Sequence, residues 1–333
     1  MTKEKELNFK NITIKTSAEK YLNNIKTKAL LIYSTTSLAK IKITNSNIIC
    51  INYREITKKE NNIKKYSTSY DFVESVIGLG GGSAIDVAKY VAFTLNKKFI
   101  CIPSILSTNA YSTNSIVVVK DDGCKKTVKY KMPNKIIFDK KIIKEAGEIN
   151  LLGLVDVLSI YTACIDWKLA ENNGVEKVDL DIYKKAQDIL LKVINLVENN
   201  TVDEILDNVE GIYNIIGDAG YITNIYGCGR PESGSEHIFA SLLEKYVEIP
   251  HGIAVGLGIA IMSTAQKCFS NQIKDILVKL GVFKNLKNYN INKDFISMIL
   301  NEIKPRKDRF TIINLYDFNN ENIKAINNFI QIF

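Results

Sequence analysis

The chain has 333 residues, a mass of 37.5 kDa and 46% hydrophobic residues, enough for two domains of ordinary size with substantial cores. This composition excludes a disordered chain. The formal charge of +8 comes from 44 basic and 36 acidic residues that are dispersed along the sequence without a block of like charges. That dispersion argues against a nucleic-acid partner, although a modest positive field favours a phosphorylated substrate.

The cysteine spacing and the N-terminus predict a cytoplasmic protein. The six cysteines form no C-x-x-C pair, so neither a zinc ribbon nor a disulfide framework is expected. The first ten residues lack the hydrophobic core of a signal peptide, and no apolar run reaches the roughly 18 residues that cross a bilayer. We therefore expect no membrane association.

Apolar runs that alternate with helical patterns predict a parallel sheet in the first half of the chain. After Gly147 the apolar residues recur at helical spacing, which predicts an α/β Rossmann-like domain over 1–148 and an all-α domain over 149–333. The tail from Asn285 is expected to form packed helices and carries no readable motif. The predicted strands are Ala29–Tyr33, Asn47–Asn52, Ser75–Leu79, Phe99–Pro103, Ser115–Val119 and Lys135–Asp139. The predicted helices of the second half include Ile182–Asn199, Val202–Ile216 and Ser235–Tyr246.

A glycine cluster, Gly80-Gly81-Gly82, joins a predicted strand to a predicted helix and is followed by Ser83. Glycines let a backbone approach a diphosphate closely, and the free N–H groups of a helix N-terminus favour negative charge. The pattern is neither G-x-G-x-x-G nor a P-loop, and a plain tight turn is the alternative reading. We call residues 80–83 the glycine loop. No acidic residue ends the second strand to bind a ribose hydroxyl, so NAD and NADP both remain open.

A second loop of hydroxyl and amide side chains, residues 104–114, follows the next strand and is called the polar loop here. Ligands bind at the carboxyl ends of parallel strands, so this loop is expected to face the cofactor or substrate. A polar surface loop stabilised by its own side chains is the alternative.

The only two histidines of the sequence, His237 and His251, lie in the short motifs Gly-Ser-Glu-His and Pro-His-Gly. Imidazole is a common ligand for divalent metals, although a lone histidine is more often a structural residue. Asp156 lies in an otherwise apolar predicted helix, where it either serves the helix N-terminus or supplies a third ligand. One carboxylate and two imidazoles would leave open positions for a substrate oxygen, as in a catalytic metal site.

Together these motifs resemble the iron-containing alcohol dehydrogenase and dehydroquinate synthase superfamily, and look most like its sn-glycerol-1-phosphate dehydrogenase and glycerol dehydrogenase branches. The resemblance runs from about Lys28 to Met262 and implies a dehydroquinate synthase-like fold. It implies zinc or iron bound by Asp156, His237 and His251. It also implies cofactor contacts from these residues: Gly80, Gly81, Gly82, Ser83, Asp86, Ser104, Ser107 and Thr113. Asn109 matches a position where these dehydrogenases usually carry an aspartate that contacts substrate hydroxyls.

The function expected from this resemblance is a metal-dependent NAD(P) oxidoreductase that interconverts an alcohol and its carbonyl. Its substrate would be a small molecule, with the glycerol-1-phosphate and dihydroxyacetone phosphate pair as one expectation, and a homo-oligomer is another. The alternative is a sugar-phosphate cyclase of the dehydroquinate synthase type, a lyase that uses NAD transiently. The stretch Ser112–Ile116 lacks the glycine and lysine residues of that enzyme's phosphate site, which favours the dehydrogenase.

Overall fold

The computed structural model describes residues 8–56, 59–119, 125–284, 286–318 and 321–323, without the side chains of Lys125 and Lys287. Within these ranges the chain divides into two compact units. The first unit comprises the described residues up to Asn150 together with Leu206–Asn224, and the second comprises Leu151–Ile205 and the described residues from Ile225 onward. Cys124 and the last ten residues of the predicted tail lie outside the described ranges.

The first unit is built on a parallel β-sheet. The strands of this unit are β1 Thr13–Lys15, β2 Ala29–Tyr33, β3 Ile48–Asn52, β4 Ser75–Gly80, β5 Lys98–Pro103, β6 Ser115–Val119, β7 Lys125–Lys129 and β8 Lys135–Phe138. Six of them form the parallel sheet, in the order β1-β8-β5-β4-β2-β3. The central strands are buried on both faces, as parallel strands covered by crossover helices require. The helices are α1 Ala18–Asn23, α2 Thr35–Leu38, α3 Tyr53–Ile56, α4 Glu60–Ser67, α5 Gly82–Leu95 and α6 Lys140–Lys144.

The predicted strands are confirmed within one residue at each end, but one of them pairs differently from the prediction. Strand β6 does not join the parallel sheet; it pairs antiparallel with β7 in a separate two-stranded sheet. The lysine-rich sequence of β7 lacks the apolar run by which the other strands were recognised. Strand β1, which the sequence analysis did not predict, is three residues long and pairs with β8 at the sheet edge.

The second unit is helical, as the change of pattern after Gly147 predicts. Its helices are α7 Leu151–Leu158, α8 Ile160–Asn172, α9 Leu180–Glu198, α12 Ser235–Tyr246, α13 His251–Ala265, α14 Asn271–Lys279 and α15 Lys293–Glu302. Of the two helices between α9 and α12, α10 Val202–Asp207 belongs to the second unit up to Ile205, and α11 Val209–Tyr226 belongs to the first unit up to Asn224. The fold is therefore an α/β Rossmann-like domain with an all-α C-terminal region, the predicted fold class.

One helical stretch, Gly147–Asn172, is long and apolar enough to cross a membrane, with a mean hydropathy of 1.5. Of its most apolar window, 72% is buried inside the protein. Such burial is typical of a core helix and is weak evidence for a membrane span.

The predicted division at residue 148 differs from the compact units in the segment Leu206–Asn224, which belongs to the first unit. The physical reason is an aromatic cluster around Tyr213 of α11. Its ring stacks on that of Tyr111, with the two ring centroids 4.8 Å apart. The centroids of the Phe9 and Phe138 rings lie 5.5 Å and 4.6 Å from that of Tyr213. These contacts join residues far apart in sequence, so helical periodicity alone does not show them.

Gly217, one turn after Tyr213, tests this packing. A Cβ atom there would lie 2.2 Å from the ring of Phe9, so the ring must shift in a buried site. A Gly→Ala change in an open helix stabilises by about 1 kcal/mol, whereas overpacking a core costs about 1–3 kcal/mol. We expect Gly217→Ala to lower the free energy of unfolding, measured by urea denaturation. In a Phe9→Ala background the same change should no longer destabilise, and stabilisation in the unmodified protein would contradict the packing.

Candidate active site

The glycine loop lies between β4 and α5, as predicted. Gly81 caps the helix in an extended conformation, and α5 begins at Gly82. A Cβ atom on Gly81 would lie 2.6 Å from Ile105 Cδ1, and one on Gly82 would lie 2.8 Å from Thr108 Oγ1. The glycines therefore serve the packing of the polar loop against the start of α5, in addition to leaving the N–H groups of a 14-residue helix available for an anion.

The proposed cofactor residues differ in how much surface they offer. Ser83 is exposed at the first turn of α5, and Ser107 is half-buried in the polar loop. Asp86, Ser104 and Thr113 are buried, with exposures of 7%, 2% and 4%. The hydroxyl of Ser104 already shares a 2.7 Å hydrogen bond with that of Ser37. The side chains of Asp86, Ser104 and Thr113 therefore belong to the protein interior. Their cofactor contacts remain predictions.

Asn109 is half-buried in the middle of the polar loop. Its backbone carbonyl accepts hydrogen bonds from the backbone N–H of Ser112 at 2.9 Å and from the Ser112 hydroxyl at 3.0 Å. These bonds fix the turn that carries the Asn109 side chain.

Asp156, His237 and His251 converge in the second unit. Asp156 Oδ1 lies 3.2 Å from Nε2 of His237 and 3.5 Å from Nε2 of His251. One ligand atom from each of the three side chains lies within 4.8 Å of the others. The structure thus gathers one carboxylate and two imidazoles around a single point.

Three helices bring these side chains together. Asp156 projects from α7, whose other residues are apolar and buried. His237 lies in the first turn of α12, and His251 is the first residue of α13. Helices α12 and α13 pack backbone against backbone, because a Cβ atom on Gly258 would lie 2.5 Å from the carbonyl oxygen of Glu236. This close approach places the two imidazoles 5.5 Å apart, measured between ring centroids.

Two further carboxylates orient the imidazoles. Nδ1 of His237 donates to Glu236 Oε1 at 2.8 Å, and Nδ1 of His251 donates to Glu244 Oε1 at 2.8 Å. Glu236 is fully buried and also accepts a 2.7 Å hydrogen bond from the Thr162 hydroxyl. Because each Nδ1 carries the proton, each Nε2 is left facing Asp156, which is the arrangement that a carboxylate–histidine–metal triad requires.

The cluster shifts the ionisation of its members when no cation is present. Burial by itself would raise the pKa of Asp156, but hydrogen bonds from the two histidines outweigh it and lower that pKa. Burial would likewise lower the pKa of His237, but its bonds to Asp156 and Glu236 raise it to about 10. The pKa of His251 is raised against the effect of burial by Asp156 and Glu244. The site therefore favours positive charge between its carboxylates.

The spacing of the ligand atoms fits a divalent metal. Ligands at about 2.0–2.1 Å from a tetrahedral ion lie about 3.3–3.4 Å from one another. The observed Asp156-to-histidine distances of 3.2 and 3.5 Å bracket that value. Three protein ligands leave a coordination position for a substrate oxygen.

The sequence analysis did not assign a role to Glu236 or Glu244. Glu236 is adjacent to His237, and that adjacency was the one available signal. Glu244 reaches His251 because α12 turns back into α13, which is a tertiary contact and leaves no local sequence pattern.

The chain is similar to known proteins in sequence and in fold. The sequence pattern of the iron-containing alcohol dehydrogenase family matches residues 15–147. The chain is 32% identical over 248 residues to a glycerol-1-phosphate dehydrogenase [NAD(P)+] from Thermococcus kodakarensis, covering 72% of this chain and 68% of that protein. It is also 32% identical over 250 residues to the glycerol-1-phosphate dehydrogenase [NAD(P)+] of Aeropyrum pernix, covering 72% and 69%. A probable glycerol dehydrogenase from Sinorhizobium meliloti has the same fold, with a TM-score of 0.70, 15% identity, and coverage of 97% of this chain and 98% of that one.

The chain belongs to the iron-containing alcohol dehydrogenase family. It is a metal-dependent NAD(P) oxidoreductase that interconverts an alcohol and its carbonyl, acting on a small molecule.

Removal of the Glu244 carboxylate tests the orientation of His251. Without its acceptor, the imidazole loses a fixed tautomer and some basicity, so Glu244→Ala should weaken zinc binding by about 10–100-fold. The affinity is measured by competition with a chromogenic chelator at constant pH.

Glu248→Ala provides the matched control, since Glu248 is an exposed carboxylate just beyond α12. It should leave zinc affinity unchanged. Equal loss in both variants would mean that general surface charge, rather than the Glu244 contact, supports the ion.

Proposed function

We propose that this chain catalyses the NAD(P)-dependent interconversion of dihydroxyacetone phosphate and glycerol 1-phosphate, with Asp156, His237 and His251 as the ligands of the metal. The observation that carries the proposal is the convergence of both Nε2 atoms on Asp156 Oδ1, at 3.2 and 3.5 Å. The substrate pair is supported by the relatives, which are named glycerol-1-phosphate dehydrogenases.

The donor set of one carboxylate and two imidazoles suits zinc(II) or iron(II). A bound ion would polarise the carbonyl or alcohol oxygen of the substrate and stabilise its negative charge as hydride is transferred. Glu236 and Glu244 would hold the two imidazoles in the ligating tautomer. Asp156, His237 and His251 are each half-buried, so none of the three side chains is fully sealed from solvent.

The glycine loop would hold the cofactor diphosphate. Its backbone N–H groups at the start of α5 favour an anion, and exposed Ser83 adds a hydroxyl there. Ser107 and Asn109 of the polar loop would contact the nicotinamide side and the substrate hydroxyl. Asn109 can donate or accept a hydrogen bond but cannot take up a proton at neutral pH, so the chain does not use this residue as a base.

The site predicts a strict dependence on the ion. Treatment with a chelator should abolish oxidation of NADPH or NADH by dihydroxyacetone phosphate, and zinc or iron should restore it. Asp156→Ala should lower kcat/KM by at least about 100–1,000-fold, since the lost stabilisation amounts to several kcal/mol. Full activity of the metal-free protein, with metal content checked by atomic emission, would refute the assignment.

The phosphate group tests the proposed substrate. Charge-assisted hydrogen bonds to an anion contribute about 1.5–3 kcal/mol, so kcat/KM for dihydroxyacetone phosphate should exceed that for dihydroxyacetone by about 10–100-fold. Both compounds are compared with the same metal and cofactor. A preference for the unphosphorylated ketone would overturn this substrate class. In a separate assay with longer-chain sugar phosphates, a carbocyclic product without net cofactor turnover would indicate the sugar-phosphate cyclase instead.

A further inference from the structure

Lys89 is a fully buried cation that the dehydrogenase chemistry described above does not use. It lies in α5, two turns after the glycine loop, with 0% exposure. Its ammonium donates to the backbone carbonyls of Ala110 at 2.7 Å, Thr113 at 2.8 Å and Ser115 at 3.0 Å. All three of its N–H donors are therefore satisfied.

This arrangement is energetically costly for a residue that only fills space. Uncharged carbonyls offset only part of the cost of burying an ammonium, and an apolar side chain of similar volume would avoid that cost. Burial lowers the pKa of Lys89, while Asp86, one turn earlier on α5, acts in the opposite direction. A buried cation with three backbone acceptors instead fixes the path of the chain that supplies those acceptors.

The three acceptors lie at the C-terminal end of the polar loop and at the first residue of β6. The same part of the loop is held from another side by Asn224, which accepts from the Asn114 N–H and donates to the Ser112 carbonyl, both at 2.9 Å. Near its other end, the Leu106 N–H donates to Asn150 Oδ1 at 2.8 Å. The loop is thus fixed at both ends, with Ser107 and Asn109 between the anchors.

We infer that Lys89 is a positioning residue that fixes the polar loop relative to the glycine loop, and so sets where Ser107 and Asn109 meet the nicotinamide and the substrate. The inference rests on the proposed function for the identity of these ligands. Helix α5 carries the glycine loop at its start and Lys89 two turns later, so one rigid element determines both positions. Loss of the ammonium would free the three backbone carbonyls and with them the polar loop, but would leave the glycine loop in place.

The experiment compares Lys89→Met, which keeps an unbranched stem of four atoms and removes the ammonium donors, with Leu31→Ala. Leu31 is a fully buried residue of β2 in a core cluster with Ile77 and Leu79. Gly78, between those two residues, faces Ala88 of α5, so the cluster lies on the opposite face of the sheet from α5. Leu31→Ala therefore destabilises the same unit without touching the loop.

Two binding probes separate the two loops. ADP-ribose carries the adenosine and diphosphate of the cofactor but no nicotinamide, and NADH carries both. In the metal-loaded protein, Lys89→Met should bind ADP-ribose as tightly as the unmodified protein, bind NADH about tenfold more weakly, and lose about 100-fold in kcat/KM for dihydroxyacetone phosphate. Leu31→Ala should leave all three quantities unchanged at a temperature where it is folded.

Hydrogen exchange of the backbone amides in residues 105–115 gives a readout that needs no activity. Exchange there should accelerate in Lys89→Met and not in Leu31→Ala. Equal losses of ADP-ribose and NADH affinity, or exchange unchanged from the unmodified protein, would overturn the role of Lys89. An unmodified protein without dehydrogenase activity would refute the proposed function, while the exchange data would still decide whether Lys89 holds the loop.

If Lys89→Met does not accumulate as folded protein, Lys89→Gln replaces it, because the shorter amide retains two N–H donors. Lys89→Gln should change NADH affinity, kcat/KM and loop exchange in the same directions as Lys89→Met, but by smaller factors. Normal exchange in the loop of this variant, together with normal NADH binding, would also overturn the inference.

Discussion

The contact of the Asp156 carboxylate with two imidazoles is the interaction on which the second unit depends. Three carboxylates, those of Asp156, Glu236 and Glu244, lie against the two imidazoles. They raise the pKa values of both histidines, so positive charge at the imidazoles is favoured. A divalent ion would supply the same positive charge and free the Nε2 atoms for coordination. The helices α7, α12 and α13 thus assemble a place where positive charge is strongly favoured.

In the first unit, the main structural feature is the packing of the polar loop against the N-terminus of α5. A side chain at Gly81 or Gly82 would clash with Ile105 or Thr108, so the loop can pack this closely only against glycine. Further along α5, the buried Lys89 binds the other end of the same loop. The loop is therefore held against the helix at two points, and in our proposal the binding of the dinucleotide depends on both.

Local sequence patterns were sufficient for the fold class and drew attention to Asp156, His237 and His251 as candidate metal ligands. Buried strands such as Ala29–Tyr33 are short apolar runs, and His237 and His251 stand out because the sequence contains no other histidine. The separation of β6 from the parallel sheet, the membership of Leu206–Asn224 in the first unit, and the roles of Glu244 and Lys89 were not predicted. Each of these depends on contacts between residues distant in sequence, which periodicity and motif spacing do not encode. The resemblance to a known family supplied the ligand set, whereas the orienting carboxylates required coordinates.

The central claim is that one ion is bound by Asp156, His237 and His251 through the carboxylate and both Nε2 atoms. Anomalous diffraction at the zinc edge from crystals grown with zinc tests it most directly. The account predicts one strong peak at about 2.0–2.2 Å from an Asp156 oxygen and from each Nε2. A peak on an Nδ1 atom, or no peak among these three side chains while zinc binds elsewhere, would contradict it.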